Sequence, residues 1–411
     1  MKHLFLSATI LLFGLAGCSG EKSVKDNFVT VDVTANYPEK DLILQDFMDV
    51  DYVPLETSDE FVASGKIAYI GDKLIVSTNL REGDILLFDR ATGKGVRKIN
   101  RRGQGPEEYI MPFNVVLYED QNEMFVNDGP SSKIQVYDLE GNYKRTISYK
   151  KGALISILID FDENNFLSQN IYAPQNEGSG ETFLFLSKKD GSMTDIKVPY
   201  QKRLSVALIK EHADGSIQGA LPENANFIDP YQDGWVLTEP SADTIYLYKP
   251  DKSMKPFIVR MPSVQTQSPE VFLFPGILTD KYYFMQCVTK EYDFEKNEGM
   301  PSTPLVYDKS EQKIYECNIY NGDFEGRKEN LSKQNMNSRI PLYVALDASE
   351  LVEANQDGKL KGKLAKIANG LNAEDNPVVM IVKQKRWNKI CIKNFLSEGA
   401  ANLNIKLKKN L

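Results

Sequence analysis

A strand-rich unit recurs five times between residues 65 and 320, and it constrains the fold more than any other feature of the chain. Gly71-Asp72-Lys73 leads into LIVST, Gly83-Asp84 into ILLFD, and Thr92-Gly93 into GVRKI. Gln121-Asn122 leads into EMFVND, then KIQVYD, then YKRTI. Looser copies begin at NNFLSQN, GWVLTEP and KYYFMQCV. Each unit reads as three strands joined by turns. The middle strand closes on a polar residue at Asp89, Asp138, Lys249 and Asp308. The Gly, Asp, Asn or Ser that follows tolerates the left-handed and side-chain-capped backbone that hairpins need. The period, roughly 40–60 residues, is that of propeller blades, which bury their faces only by stacking round an axis.

A sixth unit assembles from both ends of the chain. LILQDFMDVDYVPLET (42–57) supplies early strands, and NPVVMIVKQK (376–385) with NKICIKNF (388–395) supplies a late hairpin. Mixing the termini in one blade closes the ring and removes exposed edges. The expectation is an all-β chain, a six-bladed β-propeller over residues 41–400. The pattern breaks at 347–374, where Leu351, Leu360, Leu364, Ile367 and Leu371 have helical spacing. This predicts a short helical insertion near the C-terminus, capped by Ser349 and broken near Gly358 and Gly362.

The first residues read as an address. An apolar run from Leu4 to Leu15 follows Lys2 and His3 and ends in Ala16-Gly17-Cys18. The run is short for a membrane anchor and has the layout of a secretory signal. Its ending resembles a bacterial lipobox. That resemblance implies removal of residues 1–17 and lipidation of Cys18, whose several acyl chains would hold the protein to a membrane. Residues 18–40 then read as the lipidated cysteine and a flexible tether.

Composition excludes several chemistries. Lys and Arg number 49 against 57 Asp and Glu, a formal charge of −8, which argues against a nucleic-acid partner. The histidines are His3 and His212. Beyond Cys18 the cysteines are Cys287, Cys317 and Cys391, an odd number set in apolar segments. They read as buried small hydrophobes rather than a disulfide framework. No Cys-x-x-Cys, Gly-x-Ser-x-Gly or His-Glu-x-x-His occurs.

Residues 103–147 carry a more specific signature. Gly103, Gly105, Tyr109, Pro112, Asp128, the run Ile134 to Asp138, and Gly141 fall as in an NHL-type propeller repeat. The whole layout, with its lipobox, the Gly103 to Tyr109 turn and the late Asp375-Asn376-Pro377, resembles the six-bladed β-propeller lipoproteins of Bacteroidetes (NHL-like or TolB-like propellers). The resemblance implies a fold and a compartment: a cell-envelope lipoprotein, anchored to the outer membrane on its periplasmic side or at the cell surface.

The candidate binding residues are Arg102, Glu107 and Tyr109 in the 101–109 cluster, and Trp235 among aromatics that include Tyr172, Tyr231, Tyr282, Tyr283 and Tyr292. The 101–109 cluster also reads as a plain inter-blade connection, stiffened by Pro106. Asp128, Asp160, Asp162, Asp229 and Asp233 lie near strand ends. They would bind Ca²⁺ only if several oxygens converged, and no Asp-x-Asp-x-Asp-Gly loop is present, so no cofactor or metal is expected. No catalytic residue stands out. The leading expectation is a non-catalytic binding or scaffold module for a protein, peptide or glycan. The alternative is a hydrolase or lyase with carboxylates in the propeller channel.

Overall fold

The computed structural model describes residues 28–171, 180–223, 225–331 and 340–385. Residues 1–17, Cys18, Tyr172, the 388–395 segment and Cys391 lie outside the described residues. Six sheets form a six-bladed propeller, joined by two small two-stranded hairpins. Blades I to V follow in chain order over residues 66–100, 114–148, 155–196, 228–261 and 271–320. Blade VI combines Leu342–Leu346 and Val378–Gln384 with Met48–Pro54 from the other end of the chain.

Within its own run of chain, each of the first five blades has one strand more than its expected three. Lys66–Ile70, Asn114–Tyr118, Ile155–Asp160, Ile228–Tyr231 and Val271–Leu278 are first strands, and neighbouring first strands meet around the axis. No turn motif announces them. Two carry a proline, Pro230 and Pro275, which ordinarily demotes a run from strand. Because the strands alternate in direction, the first-to-second and third-to-fourth turns share one face, here the turn face. The second-to-third turns and the blade-to-blade connections share the other, the connection face.

Aromatic residues hold the blades together. Phe125 of blade II meets Phe166 of blade III edge-on at 5.1 Å, both among the most buried residues of the chain. Burying one such side chain is worth about 1.5–3 kcal/mol. The polar residue that closes the third strand is a turn cap. Asp89 Oδ1 accepts from the Thr92 amide at 2.8 Å, and Asp138 Oδ1 from the Asn142 amide at 2.7 Å. The second strand ends with a similar device facing the connection. Asp128 accepts the Ile110 and Met111 amides, and Asn170 accepts the Leu154 amide, in each case fixing the chain that enters the same blade.

The N-terminal segment departs from expectation. Val29–Asp32 pairs in parallel with the last strand of blade IV, and Glu39–Ile43 with the last strand of blade V. Residues 29–32 and 39–40 are therefore edge strand rather than free tether, and Leu42-Ile43 belongs to blade V rather than blade VI. After one helical turn, Leu44–Phe47, the chain enters blade VI. This strap crosses the outer edges of three successive blades and covers the exposed hydrogen-bonding rows that an edge would present. Lys40 fastens it, 2.8 Å from Asp308 and 2.7 Å from Glu311, over the Tyr315 ring. In blade VI the partner of Val378–Gln384 is Leu342–Leu346, a strand the sequence pattern did not mark.

The helical insertion lies between those two strands, as helices Ala348–Gln356 and Gly362–Ala368. Gly358 and Gly362 both take positive φ where the helix breaks. The N-cap is Asp347 rather than Ser349. Leu351 and Leu364 are fully buried against the core of blades V and VI.

Candidate functional site

The first strands of blades I to IV converge on the turn face around a cavity of about 380 Å³. Its wall comes from the C-terminal ends of those strands and the turns after them. Tyr69 lines it from blade I, Tyr118 from blade II, Asp160 from blade III, and Pro230 with Trp235 from blade IV. Asp72, Glu119 and Asp120 stand in the turns. No lysine, arginine or histidine lines it among the described residues. The size is that of a small-ligand pocket.

Four of the wall residues are held from behind. Trp235 packs on Phe161 with ring centroids 4.8 Å apart. Tyr118 packs on Phe125 at 4.9 Å, and its buried hydroxyl has no hydrogen-bond partner among the described residues. Burial and the nearby Asp160 carboxylate push that phenol well above its ordinary range. Glu119 brackets blades I and II, accepting the Lys73 amide at 2.9 Å and the Leu74 amide at 2.9 Å. Behind Asp160, the Lys188 ammonium lies 2.7 Å from the carboxylate and 4.7 Å from the centre of the Tyr118 ring. A second opening of about 620 Å³ shares Tyr118, Gln121 and Asp160 and continues between blades II and III.

The other candidates fall elsewhere. Arg102, Glu107 and Tyr109 lie together on the connection into blade II, on the opposite face from Trp235. Arg102 and Glu107 are exposed. Tyr109 is fully buried, its hydroxyl donating to the Gly83 carbonyl at 2.8 Å and accepting the Arg101 amide at 3.0 Å. A buried, fully engaged tyrosine has nothing left for a ligand, so Tyr109 is a structural residue here. The whole 101–109 connection is latched down: Glu108 Oε2 accepts the Gly105 amide at 2.7 Å, and Tyr137 donates to the Glu107 carbonyl at 2.7 Å. A Cβ on Gly103 would come within 1.9 Å of the Glu108 carboxylate and would displace it from the Gly105 amide.

Of the predicted aromatic platform, Trp235 alone borders the cavity among the described residues. Tyr231 and Tyr283 are buried between blades IV and V, hydroxyl to hydroxyl at 2.8 Å, and Tyr282 is buried toward blade VI. Tyr292 belongs to an inserted hairpin of the connection face, whose neighbour (208–220) holds His212 against Gln218 at 3.1 Å. Sequence reasoning missed Tyr69 and Tyr118. Both stand near the ends of first strands, and these strands carried no turn signal of their own.

The remaining reactive groups are walled off. Burial pushes the Cys287 and Cys317 thiols up to about 12. Asp229 is fully buried on the first strand of blade IV with neither carboxyl oxygen hydrogen-bonded, and burial raises its pKa well above the usual carboxylate range. It does not line the cavity. No group of three or more His, Cys, Asp or Glu placed to hold a metal ion exists among the described residues. No helix among them is long and apolar enough to cross a membrane.

A family model described as a domain of unknown function, DUF4934, matches residues 28–383. No curated protein matches the chain. Among solved structures, a candidate exported protein of Bacteroides fragilis is similar over 87% of this chain and 100% of its own, at 14% identity and a TM-score of 0.60. A member of the DUF4221 family from Bacteroides vulgatus is similar over 82% of this chain and 97% of its own, at 11% identity and a TM-score of 0.40. At such identity the likeness is one of fold.

Proposed function

The chain belongs to the DUF4934 family, and from that premise we propose that it is a non-catalytic binding module of the cell envelope, exported and lipid-tethered at Cys18. Its ligand sits in the cavity of the turn face. The observation that carries this reading is the cavity itself: about 380 Å³ at the end of the propeller axis, walled by Tyr69, Tyr118 and Trp235 on rigid strands. Aromatic faces set on a scaffold suit recognition of a glycan or a peptide side chain. The lipobox-like run before Cys18 supports export and tethering, as does the Bacteroides fragilis neighbour's description as a candidate for export.

A carboxylate hydrolase or lyase is the weaker reading. The carboxyl held strongly protonated by burial is Asp229, and it is sealed away from the cavity. A general acid must reach the atom it protonates.

The test is a thermal-shift screen of the mature chain against glycans, peptides and envelope extracts. A ligand that binds only the folded state raises the melting point by mass action. The expected result is a shift abolished by Trp235→Ala and by Tyr118→Ala. A shift that survives both substitutions would move the site off this face.

A further inference from the structure

The cavity of the turn face also has a chemical preference that its walls disclose. We infer that it takes an organic cation, an ammonium or guanidinium group carried on a small molecule or on a peptide side chain. The inference rests on the reading of this cavity as the ligand site.

Charge is the first argument. Asp72, Glu119, Asp120 and Asp160 line the cavity and no basic residue does, among the described residues. Two lysines outside the wall partly offset them: Lys188 at 2.7 Å from Asp160 and Lys73 at 3.4 Å from Asp120. The lining itself thus carries acid and no base, which favours a cation over an anion. Aromatic surface is the second argument. Tyr69, Tyr118 and Trp235 line the cavity, and aromatic rings attract cations through the ring quadrupole. The third argument comes from the protein's own side chain. The Lys188 ammonium is held against Asp160, 4.7 Å from the Tyr118 ring centre and 5.2 Å from that of Phe166. Tyr118 and Asp160 therefore already bind an ammonium on one side, and both line the empty volume on the other. An anion would meet the same carboxylates without compensation.

Arginine amide and citrulline amide, both N-acetylated so that no α-ammonium remains, form a suitable probe pair, since they differ by the charge of one terminal group. Intrinsic fluorescence reads the titration in a Trp387→Phe background, which leaves Trp235 as the reporter. The expected result is binding of arginine amide at least tenfold tighter than citrulline amide and weakened by added salt. Asp120→Asn should weaken it roughly threefold, the effect of one charge removed at a few ångströms. Asp233→Asn, outside the cavity wall, should leave it unchanged. An arginine-containing tetrapeptide run beside the amide distinguishes a peptide source from a free small molecule. Equal affinity for the two amides would overturn the inference and leave the cavity as a ligand site. Absence of any fluorescence change with either amide or the tetrapeptide would overturn it too, and Trp235→Ala in the ligand screen then decides separately whether the cavity binds anything.

Discussion

Asp229 offers the sharpest test of the interior. Its side chain is fully buried and neither oxygen has a partner, so it is held protonated in the folded chain. In the unfolded chain it ionises near the ordinary value of 3.8. The folded pKa is the higher of the two, so the unfolded state releases its proton first as pH rises. Stability therefore falls with rising pH, starting near 3.8 and continuing until the folded carboxyl itself titrates. The loss is about 1.4 kcal/mol for each unit separating the two values. Asp229→Asn keeps the shape and cannot ionise. It should show its largest relative gain at pH 7.5 and little or none at pH 4. Replacement by Leu should also remove the standing cost of an unpaired buried polar group, about 1–3 kcal/mol, less any strain from the larger side chain. The assay is guanidinium unfolding of wild type and variants at both pH values, followed by tryptophan fluorescence. The reasoning is refuted if Asp229→Asn is destabilised more at pH 7.5 than at pH 4. That outcome would mean an ionised carboxylate with a partner, such as a bound cation.

Other expectations follow from single contacts. Tyr109→Phe strands the Gly83 carbonyl and the Arg101 amide and should cost about 1–3 kcal/mol, lowering Tm by about 2–4 °C while leaving ligand binding intact. Cys287 and Cys317, with thiols pushed up to about 12, should resist a thiol reagent at pH 8 and react at once in denaturant. Lys40→Ala should loosen the strap over blade V and speed proteolysis between residues 33 and 43. Cys18→Ala should release the chain from the membrane fraction, and retention there would argue against lipid tethering.

The fold was legible because a blade repeats its turn chemistry. Asp89 and Asp138 stand at equivalent places and cap equivalent turns, so lining them up reveals the period without knowledge of the core. What lacked such chemistry stayed hidden. First strands such as IDPY (228–231) follow long connections rather than the hairpin turns that lead into the other strands. Parallel addition of Val29–Asp32 to blade IV was equally invisible, because parallel pairing needs no turn between partners. Polar composition over residues 19–30 suggested a tether, yet the strand beginning at Val29 rests on backbone pairing and the burial of Val31.

The cavity was less legible than the fold for a topological reason. Its wall residues come from four blades and lie at the ends of strands, so no stretch of sequence contains two aromatic members of the set. The 101–109 cluster drew attention because it packs glycine, proline and charge into nine residues, but that density serves a connection that must be pinned to blade II. Trp235 was found as a rare aromatic and Asp160 as a strand-end acid, each for a reason unrelated to the other. The packing of blade III against blade IV brings both to the turn face. A propeller that lost Lys40 and its strap could keep every blade and still lose the cavity's shape, if closure rather than blade folding sets the distance between Tyr69 and Trp235. Comparing ligand affinity with global stability in Lys40→Ala separates the two: affinity falling faster than stability would assign the strap a role in the site, and parallel losses would confine it to the fold.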